Sequence, residues 1–145
     1  IAEWLKETRF AYRLGGGGGI PDDGQFFALG GGDQFRGYDP RQRQGSAVSV
    51  GSVEWRLPIV QNAEWDCCYR IASIRNIYLA PFTDVGNAYV NGHQLGNTAV
   101  AVGMGLRVDV QWLGIIERTM LRFDVAQTVN DSTPLQFWFG VSHPF

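Results

Sequence analysis

The chain holds one lysine, Lys6, and charged residues make up only 18% of it, against a norm of roughly 25%. Its formal net charge is −2, so there is no basic excess to hold phosphates, and nucleic acid is not an expected partner. Disorder is excluded on a separate count. Chains that cannot fold are rich in charge and poor in aromatics, and here aromatics stand at 13%. Cysteine is nearly absent as well. Cys67 and Cys68 are neighbours, with Cα atoms about 3.8 Å apart, closer than a disulfide prefers. Two thiols in a turn are expected, with no structural disulfide and no zinc site. No run approaches the roughly 18 apolar residues of a spanning helix. The longest uncharged stretch, 85–106, is interrupted by Asn87, Asn91, Gly92, His93, Gln94 and Asn97. That removes a helical anchor but not a membrane barrel, whose strands need only about 9–11 residues. No initiator methionine or leader stands before Ile1, so a processed product or a piece of a longer chain is expected.

Glycine, by contrast, is abundant. Nineteen glycines among 145 residues are nearly twice the usual share of roughly 7%. They show no three-residue period, which excludes collagen, and they weaken helix interiors. The runs at Gly15–Gly19 and Gly30–Gly32 match neither a Walker loop nor a strand–GxGxxG–helix unit. They read as strand and loop flexibility.

Period-two alternation recurs along the chain. In 99–112, Val100, Val102, Met104, Leu106, Val108, Val110 and Trp112 share one parity. Ala99, Ala101, Gly103, Gly105, Arg107, Asp109 and Gln111 share the other. The same pattern marks 9–14, 47–57, 76–89, 119–129 and 135–145, with turn residues between. Six strands, mostly longer than the usual five or six residues, and no amphipathic helix predict an all-β, antiparallel fold.

The non-apolar faces are unusual. A soluble sheet puts Lys, Glu and Thr towards water. Here those faces carry Gly, Ala and Ser with charges two residues apart: Glu54 and Arg56, Arg107 and Asp109, Arg122 and Asp124. Small residues with ion pairs suit a filled polar lumen, and continuous Val, Leu and Phe faces suit lipid, as in a transmembrane β-barrel. Trp55, Tyr89, Trp112 and Phe145 lie near strand ends, as interfacial girdles do. A soluble barrel or sandwich stays open on this pattern alone. Bacterial outer-membrane barrels have at least eight strands, so six predict part of a larger one.

Two short motifs stand out. Phe35-Arg36-Gly37-Tyr38 lies in a glycine-rich segment, 20–46, expected to be a loop. Arginine presents a rigid fork of donors that fits a carboxylate, although composition alone allows an ordinary surface arginine. Phe82-Thr83-Asp84-Val85-Gly86 places Asp84 on the polar parity of its strand. A carboxylate buried in a lumen needs a partner, and Arg36 is the candidate. Asp22, Asp23 and Asp33 read as solvated loop residues, and no metal or cofactor site is expected.

Together these elements resemble the superfamily of outer-membrane assembly and translocation barrels, the bacterial surface antigen type. It includes the barrel-assembly protein BamA, its TamA relatives, two-partner-secretion transporters and organelle import barrels. The match is carried by Phe35-Arg36-Gly37-Tyr38 with Phe27 and Gly30-Gly31 before it, by Glu54-Trp55-Arg56, by Phe82, Asp84 and Gly86, and by Phe145 at the end. Phe35 departs from the commoner valine or leucine. The resemblance spans roughly 20–145. It implies a 16-stranded barrel of which 1–145 is the C-terminal part, with 20–46 tucked into the lumen and 47–145 forming the last five strands. It implies an Arg36–Asp84 pair, with Glu54, Arg56, Arg107, Asp109, Arg122 and Asp124 as supporting lumen charges. Phe137, Phe139 and Phe145 would form a C-terminal assembly signal.

The implied location is the bacterial outer membrane, with the C-terminus on the periplasmic side. The implied partners are the lipid bilayer, polypeptide clients and other assembly subunits. The implied function is insertion or translocation of polypeptides, without enzymatic chemistry in these residues. A barrel anchor for an upstream patatin-like lipase and a passive pore are the alternatives. The lipase motif Gly-x-Ser-x-Gly does not occur, and His93 and His143 have no evident nucleophile beside them.

Overall fold

A computed structural model describes residues 7–20, 27–67, 69, 71–112 and 118–142. They are all-β and antiparallel, with no helix and no closed barrel. The strands are β1 (Arg9–Gly18), β2 (Phe27–Leu29), β3 (Arg43–Gly45), β4 (Ala47–Val60), β5 (Trp65–Cys67), β6 (Ala72–Val90), β7 (His93–Gln94), β8 (Ala99–Trp112), β9 (Thr119–Thr128) and β10 (Gln136–Ser142). Six of them form one meander in the order β1-β4-β6-β8-β9-β10, and β5 and β7 pair with the two ends of β6. β2 and β3 form a separate two-stranded sheet.

The six long strands coincide with the six alternating segments, and the departures have local causes. β6 begins at Ala72, four residues before the alternation at 76–89, because the register shifts between Ile74 and Asn76. The extra residue of a bulge flips the parity upstream and hides it. β4 runs on to Val60 past a second shift between Pro58 and Val60. The β4–β6 ladder also passes from Glu54↔Phe82 to Leu57↔Leu79, stepping over Pro81, which has no amide hydrogen to give. Asn91 and Gly92, both with positive φ, make the two-residue turn from β6 into β7, the geometry that Asn-Gly favours.

Segment 20–46 is not irregular throughout, as its glycines suggest. Phe27, Ala28 and Leu29 pair with Gly45, Gln44 and Arg43, so the described part of the loop leaves and returns as a short hairpin stem. Cys67 closes β5 rather than sitting in a turn. Cys68, Asp22, Asp23, His143 and Phe145 lie outside the described residues, as does most of the 113–118 connection.

Register aligns the two parities across the sheet. Met104 faces Val125, which faces Phe137; Leu106, Phe123 and Phe139 make the next row, and Val108, Leu121 and Val141 the one after. Phe10 stacks on Trp55 at 5.6 Å, and Phe123 lies 5.0 Å from Phe139. This apolar face is largely uncovered among the described residues: Phe137 is 70% exposed and Met104 52%. The opposite face carries the loop. Leu29, Phe35 and Tyr38 are fully buried there against Val48, Ala88, Ala99 and Ala101. Burying each of the three large side chains is worth roughly 1.5–3 kcal/mol, so the apolar core of the described residues lies between loop and sheet.

Candidate functional site

The loop turns back over the sheet through backbone bonds from Gly31 N to Tyr38 O, at 3.2 Å, and from Gln34 N to Gly31 O, at 3.1 Å. Gly30 and Gly31 hold φ of 130° and 111°, which side chains rarely adopt. This turn directs Arg36 at the sheet. Two further glycines let the loop press close. A Cβ on Gly37 would stand 2.5 Å from Ala101 Cβ, and one on Gly86 would stand 2.8 Å from Leu29 Cδ1.

Arg36 is 3% exposed and reaches three carboxylates. Its Nε donates to Asp84 Oδ2 at 2.8 Å, and its Nη2 to Asp84 Oδ1 at 2.7 Å. Its backbone amide donates to the same carboxylate at 3.1 Å. Nη1 donates to Glu54 Oε2 at 3.2 Å and lies 3.5 Å from Asp124 Oδ2. The guanidinium also stacks over the Phe82 ring, 3.2 Å from its centroid, a cation–π contact. The Arg36–Asp84 pair expected from the sequence is therefore present, in the bidentate form that gives arginine its specificity. Burial opposes the charge of Arg36. The hydrogen bond to Asp84 and the attraction of Asp84, Asp124 and Glu54 outweigh it and hold the group above its ordinary pKa.

Around this pair lies a charge lattice built from three more strands. Arg107, with no exposure, donates from Nε to Glu54 Oε1 at 3.0 Å and from Nη1 to Asp124 Oδ1 at 2.6 Å. Its Nη2 also bonds Glu54. Arg56 Nε donates to Glu54 Oε1 at 2.9 Å. Arg122 lies 3.7 Å from Asp124.

One expected pairing is corrected. Arg107 does not take Asp109, two residues on. It bonds across strands to Glu54 and Asp124, and Asp109 instead accepts from Asn76 Nδ2 at 2.9 Å. The other two pairs do meet within one strand, Arg56 bonding Glu54 and Arg122 lying near Asp124, whereas the Arg107 side chain reaches across to β4 and β9, where Glu54 and Asp124 both accept from it.

Several contributors were not singled out by sequence reasoning. Ser52 bridges the pair, accepting from Arg36 Nη2 at 2.9 Å and donating to Asp84 Oδ1 at 2.6 Å. Its only signal was the parity shared with Glu54 and Arg56. Trp138 Nε1 donates to the Arg36 carbonyl at 2.7 Å. A large aromatic on a face of Gln, Gly and Ser was the available clue. Asp33, read as solvated, accepts from Arg122 Nη2 at 2.8 Å while its side chain is 94% exposed. Farther out, Asp131 accepts from Tyr38 and from Arg43, the latter at 3.0 Å. Burial, then the bond to Asp131, raises the Tyr38 phenol above its usual pKa.

Phe137 and Phe139 point to the exposed apolar face, away from this lattice. No group of three His, Cys, Asp or Glu able to hold a metal forms among the described residues. The arrangement is a loop locked by charge to the face of a sheet. No family model, curated protein or solved structure matches the chain.

Proposed function

We propose that the chain is the C-terminal part of an outer-membrane β-barrel that inserts or translocates polypeptides, with the Arg36 loop held inside the lumen. The observation that carries this reading is the inverted placement of the two faces. Charge is sealed on the loop-bearing side, where Asp84 and Arg107 have no exposure, and Val, Met and Phe stand uncovered on the other. In water that distribution is unfavourable twice over, because an apolar face is left wet and charges are desolvated. In a bilayer it is the favoured one, with apolar side chains facing lipid and polar ones facing the lumen. β4, β6 and β8, at 14, 19 and 14 residues, exceed the roughly 9–11 needed to span. The loop supports the narrower assignment to the assembly and translocation superfamily, because it joins Phe35-Arg36-Gly37-Tyr38 to Phe82, Asp84 and Gly86 in one cluster. In this reading β1 and β10 continue into strands beyond the described sheet, and the work is done by hydrogen bonding and loop position rather than covalent chemistry.

The test uses the full-length protein in cells that depend on it. The wild type should need detergent for extraction. Arg36→Ala should remain in the membrane fraction but lower the yield of client barrels or secreted polypeptide several-fold. Release of the wild type by alkaline carbonate alone would reject the membrane assignment. Undiminished client yield with Arg36→Ala would reject a working loop.

A further inference from the structure

The end of the sheet away from the loop stem carries charge that the Arg36 lattice does not use. β4 ends there at Val60, β6 begins there at Ala72 and β9 begins there at Thr119. On the charged face at this end lies a polar recess of about 270 Å³, with Arg9, Arg56, Arg118, Asn76, Tyr78 and Asp109 in its wall. A wider recess of about 490 Å³ adjoins it, shares Arg9, Asn76, Tyr78 and Arg118, and adds Glu7.

The donors of this recess are largely unspent. Arg9 stands directly opposite Arg56 in the β1–β4 register, and like charges so placed repel. Among the described residues Arg9 forms no hydrogen bond or ion pair, and Arg56 bonds Glu54 alone, through Nε at 2.9 Å. The Tyr78 hydroxyl likewise has no partner among them. The acceptors are committed or distant. Buried Asp109 takes a bond from Asn76 Nδ2 at 2.9 Å on Oδ2, which also lies 4.0 Å from Arg118 Nη1. Its Oδ1 is sealed off without a partner, so it neutralises neither Arg9 nor Arg56. Glu7 reaches only the wider part. The lattice around Arg36 differs, because each of its guanidinium groups meets a carboxylate.

We infer that this recess binds an oxyanion, a carboxylate or phosphate group held between Arg9, Arg56 and Arg118. The planar fork of arginine donates two parallel bonds to such a group, and the Tyr78 hydroxyl supplies a further donor. An anion between Arg9 and Arg56 replaces their mutual repulsion with attraction to a shared partner. Strands that pair with β1 extend the sheet within its own plane and do not fill a recess in its face. The site is a property of these residues. Only the source of the oxyanion, free phosphate or an acidic side chain of a translocated polypeptide, rests on the proposed function.

Calorimetric titration of the full-length protein in detergent micelles with inorganic phosphate tests it, with chloride keeping the ionic strength constant. The wild type should bind saturably. Arg9→Gln and Arg118→Gln, both at exposed positions, should each weaken binding about tenfold, the effect of one charge-assisted hydrogen bond. Arg43→Gln, at the opposite end beside Asp131, should bind as the wild type does. Absence of saturable binding by the wild type would overturn the inference, as would binding that neither Arg9→Gln nor Arg118→Gln weakens. Equal weakening by Arg43→Gln would also overturn it, since the anion would then answer to total charge and not to this recess. A glutamate-rich peptide that competes with phosphate, where its glutamine counterpart does not, would assign the recess to polypeptide carboxylates; failure to compete would assign it to free oxyanions. Neither extraction nor client yield is read, so loss of phosphate binding leaves the membrane and Arg36→Ala experiments standing, and their failure leaves the site standing.

Discussion

Arg107 and Met104 stand three residues apart on β8 and face opposite ways. The arginine has no exposure, and the methionine is 52% exposed. The contrast holds across the sheet. Asp124 is buried beside exposed Phe123 and Val125, and Glu54 beside exposed Val53. One face therefore behaves as an interior although its middle is charged, and the other behaves as an exterior although it is apolar. The loop-bearing face tolerates its charge because each group has partners: Arg36 and Arg107 between them bond Asp84, Glu54 and Asp124. The apolar face has no such internal remedy. Its stability depends on the medium outside it, whereas that of the loop face depends on its own geometry.

The comparison is broken most severely by attacking the charged side. Arg107→Met removes the buried cation shared by Glu54 and Asp124 and leaves both carboxylates short of a partner. A loss of about 3–5 kcal/mol is expected, measured by denaturant unfolding in micelles. A loss below about 1 kcal/mol would mean that water already reaches the lattice.

Val102→Arg tests the other face. In a lipid bilayer it should cost about 2–4 kcal/mol if Val102 lies near the midplane. The same change on a wet surface falls within about 0.5 kcal/mol. Equilibrium folding into vesicles separates these outcomes, and the smaller value would assign this face to water.

The mildest change is Tyr38→Phe, at the outer rim of the loop. It removes the bond to Asp131, worth about 1 kcal/mol. The folded-state phenol titrates above its usual value. Its contribution is therefore complete below the ordinary pKa of about 10 and is lost as pH rises through the higher folded value. The difference between wild type and Tyr38→Phe should shrink above pH about 10, as followed by thermal unfolding. A difference that does not change with pH would show that the phenol is not the source.

Much of this was legible in the residues. Alternation located the six long strands, and parity alone sorted Val102 and Met104 from Arg107 and Asp109. The Arg36–Asp84 pair could be anticipated because a lone carboxylate on a polar parity demands a cation. The short β2, β5 and β7 could not be seen, since two or three residues carry no period. The end of β4 and the start of β6 were blurred by bulges, which invert parity. Trp138 shares the parity of Gln136, Gly140 and Ser142, but nothing in its neighbours announces a bond to a carbonyl 102 residues away.

The sequence by itself determined the six long strands and, away from the bulges, which way their side chains point, because the two-residue pleat is a local property of the backbone. Only the tertiary structure decided who meets whom. That Arg107 bonds Glu54 and Asp124 rather than Asp109, and that one loop joins β6 to β10, follow from register and from where the loop lands. Both are set by contacts between residues far apart in the chain, which no local pattern encodes.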